Sequence, residues 1–340
     1  MVRLALAPLF AALVCHLAAC EPNNPSSEAE KSWTMVYEEL PAALLSTWGS
    51  GADDVFFVGA DPSDGHGPWV FHWDGDAMER LQTGATGNLW WVSGTSASGP
   101  IYLAGGGGLA LRYDRDGTFT PLTGVPSDVT LFGIFAVPGG RVWAVGGQRS
   151  TGKVYVLDGT TFSEATDLPA DAGMNNAFNK VWGRSEDDLW VVGIGQHALH
   201  RSAAGWATVD TLGESPLFTA HGNATETIGV GGFVEGRVLR LAASGVTDIS
   251  PIGASRLNGV WVHDDGVVTA VGSFGEVWER QGGDTWHRVT IPDTVFDFHG
   301  VYAAPNGEVW AVGGQISTEP LRLGMLLHYG SQAIDPTPPE

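Results

Sequence analysis

Three pairs of adjacent aspartates have the side chains for acid and base chemistry. The pairs are Asp53 and Asp54, Asp187 and Asp188, and Asp264 and Asp265. Two neighbouring carboxyl groups can act as a general acid and a general base. All three pairs, however, stand in the same short turn of a repeated phrase, just before an apolar segment. Asp in a turn caps backbone N–H groups, so we interpret the pairs as structural turns.

Metal and cofactor chemistry has weaker support. His197 and His200 are three residues apart, but the sequence indicates no third ligand for a metal site. The glycine run at 105–108 precedes no predicted helix, which a phosphate-binding loop would need. We therefore expect neither a cofactor nor a metal, and no set of catalytic residues can be assigned.

Composition excludes several classes of protein. The 340 residues include 17 Lys and Arg against 38 Asp and Glu, a formal net charge of −21. No basic cluster is present, which argues against nucleic acid and against an anionic membrane surface as partners. With 48 Gly, 14 Trp and only 16% charged residues, the chain is typical of short strands joined by tight turns.

The first twenty residues predict export. A short basic start precedes an apolar run at 4–17, which is too short for a transmembrane helix and suits a signal peptide. Leu17-Ala18-Ala19-Cys20 resembles a bacterial lipobox. The resemblance implies that 1–19 is a lipoprotein signal peptide and that Cys20 is acylated. Cleavage of an ordinary signal beside an incidental Cys20 is the alternative, and Cys15 fits less well because bulky Val14 precedes it.

Cellular location follows from the same resemblance. Glu21, rather than Asp, after the lipidated cysteine implies the outer membrane of a Gram-negative cell envelope, with membrane contact through the lipid anchor only. Residues 20–32 are rich in Pro, Ser and Glu and have no apolar period, so we predict a flexible tether.

A repeated phrase fills the rest of the chain. It consists of a turn, an apolar strand and a closing glycine, and the copies stand 38 to 47 residues apart. The closing glycines are Gly59, Gly105, Gly146, Gly193, Gly231, Gly272 and Gly313. In five copies an aromatic residue precedes the closing glycine by 11 residues, at Trp48, Phe135, Trp182, Trp261 and Tyr302. We interpret these aromatic residues as packing between repeats.

Each repeat has room for four antiparallel strands, with Asp-Gly hairpin turns such as Asp74-Gly75 and Asp158-Gly159. About 42 residues and four strands per repeat are typical of a β-propeller blade. The sequence therefore predicts an all-β, seven-bladed β-propeller over 33–330, or six blades if 88–130 is not an independent one. The last copy lacks its fourth strand. We predict that 33–38 pairs with 323–329 and closes the ring, followed by a disordered tail at 331–340.

The repeats resemble the Trp-rich propeller repeats of bacterial lipoproteins related to the BNR/Asp-box and Ycf48-like (photosystem II assembly factor) propellers. The residues that carry the resemblance are Trp-Gly at 48–49 with Asp53–Gly59, and Trp-Gly at 182–183 with Asp187–Gly193. Val-Gly-Gly-Gln at 145–148 and 312–315 adds a weaker likeness to kelch and galactose-oxidase repeats. The resemblance implies the fold and does not imply one activity. The 14 Arg residues are scattered, which argues against sialidase chemistry.

The loops after the second strand of each blade are the candidate binding surface, since they gather at one end of a propeller and loops on a rigid scaffold commonly carry function. The polar residues that we select there as candidates are Asp61, Asp64, His66, Gln148, Arg149, Gln196, His197, Glu235, Gln315 and Glu319.

Three hypotheses about function follow. The first is a lipid-anchored, non-catalytic binding or scaffold module in the cell envelope for a protein or glycan partner. The second is a propeller-type glycan-active hydrolase or lyase, which requires carboxylates or arginines that converge at one mouth of the channel. The third is an envelope assembly factor. The sequence favours the first.

Overall fold

Seven four-stranded antiparallel sheets make up the protein. The structure is a computed structural model that describes residues 30–148, 151–170, 172–173 and 177–339. The predicted all-β, seven-bladed propeller is confirmed, and the segment 88–130 forms a blade of its own. The predicted signal peptide at 1–19 and Cys20 lie outside the described residues, as does most of the predicted tether. No helix in the described part of the chain is long and apolar enough to cross a membrane.

Within each blade the strands run from the channel outward in chain order. Blades 1 to 3 contain β2 (Leu44–Gly51), β3 (Asp54–Gly59), β4 (Val70–Trp73) and β5 (Met78–Arg80); β6 (Leu89–Gly94), β7 (Ile101–Gly105), β8 (Ala110–Tyr113) and β9 (Phe119–Pro121); and β10 (Thr130–Ala136), β11 (Val142–Gln148), β12 (Thr151–Asp158) and β13 (Thr161–Glu164).

Blades 4 to 7 repeat the plan, and the last one borrows a strand from the other end of the chain. They contain β14 (Phe178–Ser185), β15 (Asp188–Gly193), β16 (His197–Ser202) and β17 (Gly205–Asp210); β18 (Leu217–Gly222), β19 (Thr227–Gly231), β20 (Arg237–Ala242) and β21 (Gly245–Asp248); β22 (Leu257–Val262), β23 (Val267–Gly272), β24 (Val277–Gln281) and β25 (Trp286–Arg288); and β26 (Asp297–Ala303), β27 (Val309–Gln315), β28 (Arg322–Gly330) and β1 (Ser32–Leu40).

The closing glycine of each repeat has a steric cause. It lies at or near the end of the second strand, beside a β-bulge in the inner strand where the pairing register shifts by one residue, as at Gly59 opposite Leu44. A Cβ on Gly59 would overlap the carbonyl oxygen of Ala43, and the other six closing glycines meet the equivalent carbonyl. Only a residue without a side chain fits there, which is why the glycine recurs in every blade.

Apolar packing joins each blade to the next. Ile228 and Val230 of blade 5, for example, pack with Val260 and Val268 of blade 6, and all four are fully or almost fully buried. Each such side chain contributes about 1.5–3 kcal/mol relative to an exposed one. The core is therefore a ring of clusters between adjacent sheets.

The aspartate turns hold a second repeated arrangement. In blades 1, 4 and 7 a carboxylate at or just before the start of the second strand contacts the Nε2 atom of a histidine in the third strand. That histidine also stacks on an aromatic ring of the second strand. These sets are Asp54, His72 and Phe56; Asp188, His200 and Trp190; and Glu308, His328 and Trp310.

Asp54 also links blade 1 to blade 2. Both of its carboxylate oxygens accept hydrogen bonds from the Arg115 guanidinium, at 2.8 and 2.9 Å. Burial alone would raise the pKa of Asp54, but the hydrogen bonds from His72, Arg115 and Ser50 outweigh it and hold the pKa far below its usual range. These contacts support the interpretation of the Asp pair at 53–54 as a structural turn.

The ring closes as predicted. β1 pairs antiparallel with β28, with Trp33 opposite Tyr329 and Met35 opposite Leu327, and Val36, Tyr37 and Leu40 are buried beneath it. Residues 331–339 have no regular secondary structure, although Gln332 Nε2 donates to the carbonyl oxygen of Gly75 at 3.1 Å.

Removal of the closing strand should destabilise the whole ring. We expect deletion of 1–40 to lower the free energy of unfolding by several kcal/mol, because three buried side chains are lost at about 1.5–3 kcal/mol each and a strand edge is exposed. Deletion of 1–30 is the control and should leave the urea midpoint unchanged. Equal midpoints for the two deletions would contradict a closing role for β1.

Candidate functional site

The connections between strands divide into two sets on opposite faces of the propeller. Antiparallel order places the loops after each second strand, and the connections between blades, on one face, which we call the loop face. The turns between first and second strands lie on the opposite, turn face. All of the predicted site residues that the structure describes belong to the loop face, whereas Arg149 lies outside the described residues.

The carboxylates of two predicted residues, Asp64 and Asp61, already accept hydrogen bonds from other groups of the protein. Asp64 binds the buried Arg80 guanidinium with both carboxylate oxygens, at 2.7 and 3.2 Å, and this pairing lowers its pKa. Asp61 accepts the backbone N–H groups of Ser63 and Gly87. These carboxylates shape the first long loop, while His66 in the same loop is exposed.

The other predicted residues are spread around the ring. Gln148 donates to Asp128, Gln196 donates to Glu214 at 3.1 Å, and Gln315 donates to Thr318 at 2.9 Å. His197 and Glu235 are exposed, and Glu319 accepts the N–H of Leu321. Gln315 and Glu319 line different grooves. The structure thus places these residues on one face without bringing them to one point.

Exposed apolar side chains are concentrated on that same face, although the candidates chosen from the sequence were all polar. Among the residues that the structure describes, seven large hydrophobic residues are exposed, and all belong to loop-face connections from blade 4 to the start of blade 7. They are Ile194, Leu212, Phe233, Val234, Ile252, Phe274 and Val295, with exposed fractions of 43% to 99%.

A groove of about 430 Å³ runs between the loops of blades 5, 6 and 7. Phe233, Val234, Phe274, Val295 and Ile316 contribute its apolar walls. We call it the apolar groove.

Asp297 is the polar anchor of the apolar groove. Its carboxylate accepts hydrogen bonds from Arg256 at 2.9 Å, Ser317 at 3.1 Å and the N–H of Phe274 at 3.2 Å. These bonds tie three loops together, so the groove is held in shape by polar contacts while its walls remain apolar.

Two layers of side chains line the central channel, and both contain aromatic residues. On the turn-face side, the aromatic residues predicted as packing between repeats contact one another from blade to blade. Phe135 meets Trp182, Trp182 meets His221, His221 stacks on Trp261 at 3.9 Å, and Trp261 meets Tyr302 edge-on at 4.8 Å. These side chains both join neighbouring blades and line the channel.

The loop-face layer consists of the residues at the bulges of the inner strands. Each bulge turns one extra side chain towards the channel. The bulged residues are Leu45, Trp90, Phe132, Asn179, Phe218, Asn258 and His299. Six of them, all but Leu45, line a chamber of about 270 Å³ at the loop-face mouth.

Lys180 lies beneath this chamber. Its Nζ donates to the carbonyl oxygen of Phe132 at 2.6 Å and lies 4.0 Å from the centre of the Trp91 ring. In five other blades the equivalent position is Gly, Ser or Thr, so the long side chain of Lys180 is an exception within the repeat. The side chain is 4% exposed, and burial lowers its pKa from 10.5 to about 7.

Two partly buried histidines, His299 and His221, face the same channel. Burial, with the nearby charge of Lys180 as the next cause, lowers the pKa of His299 to about 3. Burial, followed by the charge of His263, lowers the pKa of His221 to about 3. Both imidazoles are therefore neutral at physiological pH. Among the described residues, no three His, Cys, Asp or Glu side chains are grouped so that they could hold a metal ion.

Solved structures share the fold. A streptogramin B lyase structure matches with a TM-score of 0.70 and 14% identity, over 89% of this chain and 100% of the other. YCF48 from Cyanidioschyzon merolae matches at 0.64 and 15%, over 88% and 98%. YCF48 bound to D1 peptide matches at 0.64 and 13%, over 87% and 96%. No protein-family model matches the sequence, and the search of curated proteins found no relative.

These likenesses agree with the predicted resemblance to Ycf48-like propellers. At such low identity they show a shared propeller fold and no shared activity. The functional argument therefore rests on this chain's own features, which are the exposed apolar side chains of the loop face and the buried Lys180 of the channel.

The depressed pKa of Lys180 predicts a pH dependence of stability. Between about pH 7 and 10 the unfolded chain holds a proton that the folded chain lacks, so stability rises with pH in this window. Below pH 7 both states are protonated and the effect is flat. We expect the free energy of unfolding of the wild type, relative to Lys180→Met, to rise by about 1 kcal/mol per pH unit above pH 7.

Urea denaturation at pH 6, 7, 8 and 9 measures this difference. Lys153→Met is the matched control because its ammonium group pairs with Glu164 near the surface. A constant difference between wild type and Lys180→Met across this range would contradict a depressed pKa.

Proposed function

We propose that this chain is a lipid-anchored cell-envelope propeller that binds an extended segment of a partner protein in the apolar groove. The observation that carries the proposal is the grouping of all seven exposed large hydrophobic residues of the described chain on one face and one arc of the ring. Four of them, Phe233, Val234, Phe274 and Val295, lie together around the apolar groove, and soluble monomers rarely expose a large contiguous apolar patch unless it binds something.

Four apolar side chains of the groove are largely exposed to solvent. Val234 is 81% exposed, Val295 77%, Phe274 65% and Phe233 64%. Every exposed methylene forfeits about 0.8 kcal/mol of burial energy, and these side chains leave most of their surface unpacked. A partner that covers them would recover that energy.

Charge around the groove favours a partner with Lys or Arg beside its apolar residues. Exposed carboxylates on the loop face of blades 4 to 7 are Asp210, Glu214, Glu235, Asp248, Asp293 and Glu319. Two arginines of this region are occupied, since Arg256 pairs with Asp297 and Arg237 donates to backbone carbonyls, whereas Arg322 is exposed. Complementary charge speeds association and orients the partner.

A protein segment suits the groove better than a glycan does. Sugar hydroxyls need polar side chains with free hydrogen-bonding capacity, but the carboxylate of Asp297 is already engaged by three donors. YCF48, which shares the fold, has been solved with a peptide bound. Such an activity would also serve an envelope assembly factor that holds a segment of its client.

The alternative of a hydrolase or lyase lacks its predicted signature at the loop-face mouth. The charged groups there are Lys180 and Arg256 rather than a pair of carboxylates, and Arg256 is already paired. Asp264 and Asp265 lie at the other mouth, where Asp265 caps the N–H of Val267. We therefore favour binding over catalysis.

The anchor can be tested separately from the binding surface. In a Gram-negative host we expect Cys20→Ala to lose metabolic labelling by palmitate and to move from the membrane fraction to the soluble one, because the acylated thiol is removed. Cys15→Ala is the matched control and should keep both properties. Labelling that survives in Cys20→Ala would contradict the predicted lipidation site.

The groove can be tested with two synthetic dodecapeptides that share a Leu- and Phe-containing core and carry either Lys or Glu at both ends. By fluorescence anisotropy we expect the purified protein to bind the Lys-flanked peptide at least about tenfold more tightly. The double variant Val234→Ser with Phe274→Asn should bind it about tenfold more weakly, because the walls lose apolar area. Asn suits the left-handed backbone at residue 274 (φ 58°).

Ile252→Ser is the matched control, because Ile252 is 99% exposed on the same face and does not line the groove. It should bind as the wild type does. Equal affinity of the wild type and the double variant, with all proteins folded by circular dichroism, would contradict the groove as the binding site.

A further inference from the structure

The charge of Lys180 has no compensating carboxylate. Within the part of the chain that the structure describes, no Asp or Glu pairs with its ammonium group, and burial is the one cause of its pKa shift. Its contacts are one carbonyl oxygen and the face of Trp91. An ammonium group has three donor hydrogens, so the geometry leaves Lys180 with hydrogen-bonding capacity at the floor of the chamber.

The chamber above it is built for a small molecule with an apolar body. Trp90 and Phe132 pack edge to face at 5.5 Å, and Phe218 of blade 5 also lines the chamber. The volume of about 270 Å³ corresponds to roughly nine water molecules at about 30 Å³ each. Asn179 and Asn258 donate their amide N–H groups to the backbone carbonyls of Leu217 and Phe298, so they are fixed parts of the wall.

We propose that the loop-face mouth of the channel binds a monocarboxylate, with the anion beside Lys180 Nζ and the apolar part of the ligand among Trp90, Phe132 and Phe218. A buried cation without a partner is costly, and an anion that enters the chamber supplies the missing charge. Aromatic walls would exclude water from the pair and so strengthen it.

The surrounding charges favour a monoanion over a phosphate. His299 and His221 face the channel as neutral imidazoles, and the Arg256 guanidinium is neutralised by Asp297. One cation therefore remains to balance the ligand, and a second negative charge would have no partner. The carboxylate could belong to a free organic acid or to the C-terminus of a peptide. This proposal does not depend on the apolar groove.

Isothermal titration of the purified protein with phenylacetate, and with phenylacetamide as the neutral analogue, tests the proposal. At pH 6 we expect phenylacetate to bind at least about tenfold more tightly than the amide. Above pH 7 its affinity should fall by about tenfold per pH unit, because Lys180 must be protonated to hold the anion.

Proton uptake supplies a readout that needs no variant. Titration at pH 8 in buffers of different ionisation enthalpy should show uptake of close to one proton per phenylacetate bound, and at pH 6 close to none. Lys180→Met should lose binding, whereas Lys153→Met should keep it. Should Lys180→Met fail to fold, the proton uptake of the wild type still decides.

Two further ligands separate the sources of the carboxylate. Competition by a peptide that ends in phenylalanine with a free carboxylate, but not by its amidated form, would indicate capture of a C-terminus. Phenylacetate binding without competition by either peptide would indicate a free acid. Equal binding of phenylacetate and phenylacetamide, binding at pH 8 without proton uptake, or no binding of phenylacetate at 10 mM, on the order of the weakest useful affinity, would overturn the proposal.

Discussion

The close approach of a glycine to a bulged inner strand is the constraint on which the ring depends. In each blade the closing glycine of the second strand lies beside the carbonyl group of the residue that precedes its inner-strand partner, and the bulge follows that partner. A Cβ at that glycine would overlap the carbonyl oxygen, so the two strands could not stay at their observed separation. Because the same contact recurs in seven blades, it fixes the pairing register of the first two strands of every sheet.

The bulges also decide what the channel contains. A regular strand would send alternate side chains to opposite faces, but the extra residue of each bulge places a second layer of side chains around the loop-face mouth. At Gly133, Gly259 and Gly300, just after the bulges in three blades, an added Cβ would meet the backbone of the next blade, so neighbouring inner strands approach closely there. Lys180 of blade 4, by contrast, reaches across blade 3 towards Trp91 of blade 2.

The repeat period made most of the fold predictable. Closing glycines at regular intervals, Asp-Gly hairpins and an incomplete last repeat were sufficient for seven blades and for the pairing of 33–38 with 323–329. The candidate site was less predictable, because selection by residue type cannot show which polar groups are already paired. Asp64 was selected as a free carboxylate, yet Arg80, sixteen residues away, occupies it.

The apolar surface and the channel lysine were missed for related reasons. In the sequence, Phe274 and Val295 are apolar residues in short connections, and nothing there indicates that they are exposed. Their exposure is seen only in the folded chain, where the loops of three blades surround the apolar groove. Lys180 stands in the position taken by Ser46 and Thr219 in other blades, but only the superposition of aligned repeats makes that exception visible. A comparison of equivalent positions within the repeat, rather than of residue types along the chain, would have found it.

The two faces of the propeller differ in how their polar groups are used, and this difference bears on function. On the turn face, carboxylates are bound by His and Arg of the same or the next blade, as Asp54 is by Arg115. That face therefore contributes to cohesion between blades. On the loop face, several carboxylates are exposed beside apolar side chains, and the one buried ammonium group lacks a counter-ion. The exposed apolar side chains and the buried Lys180 ammonium group thus lie at the same end of the ring. A partner or ligand that binds at this end can cover the apolar side chains and pair with the charge.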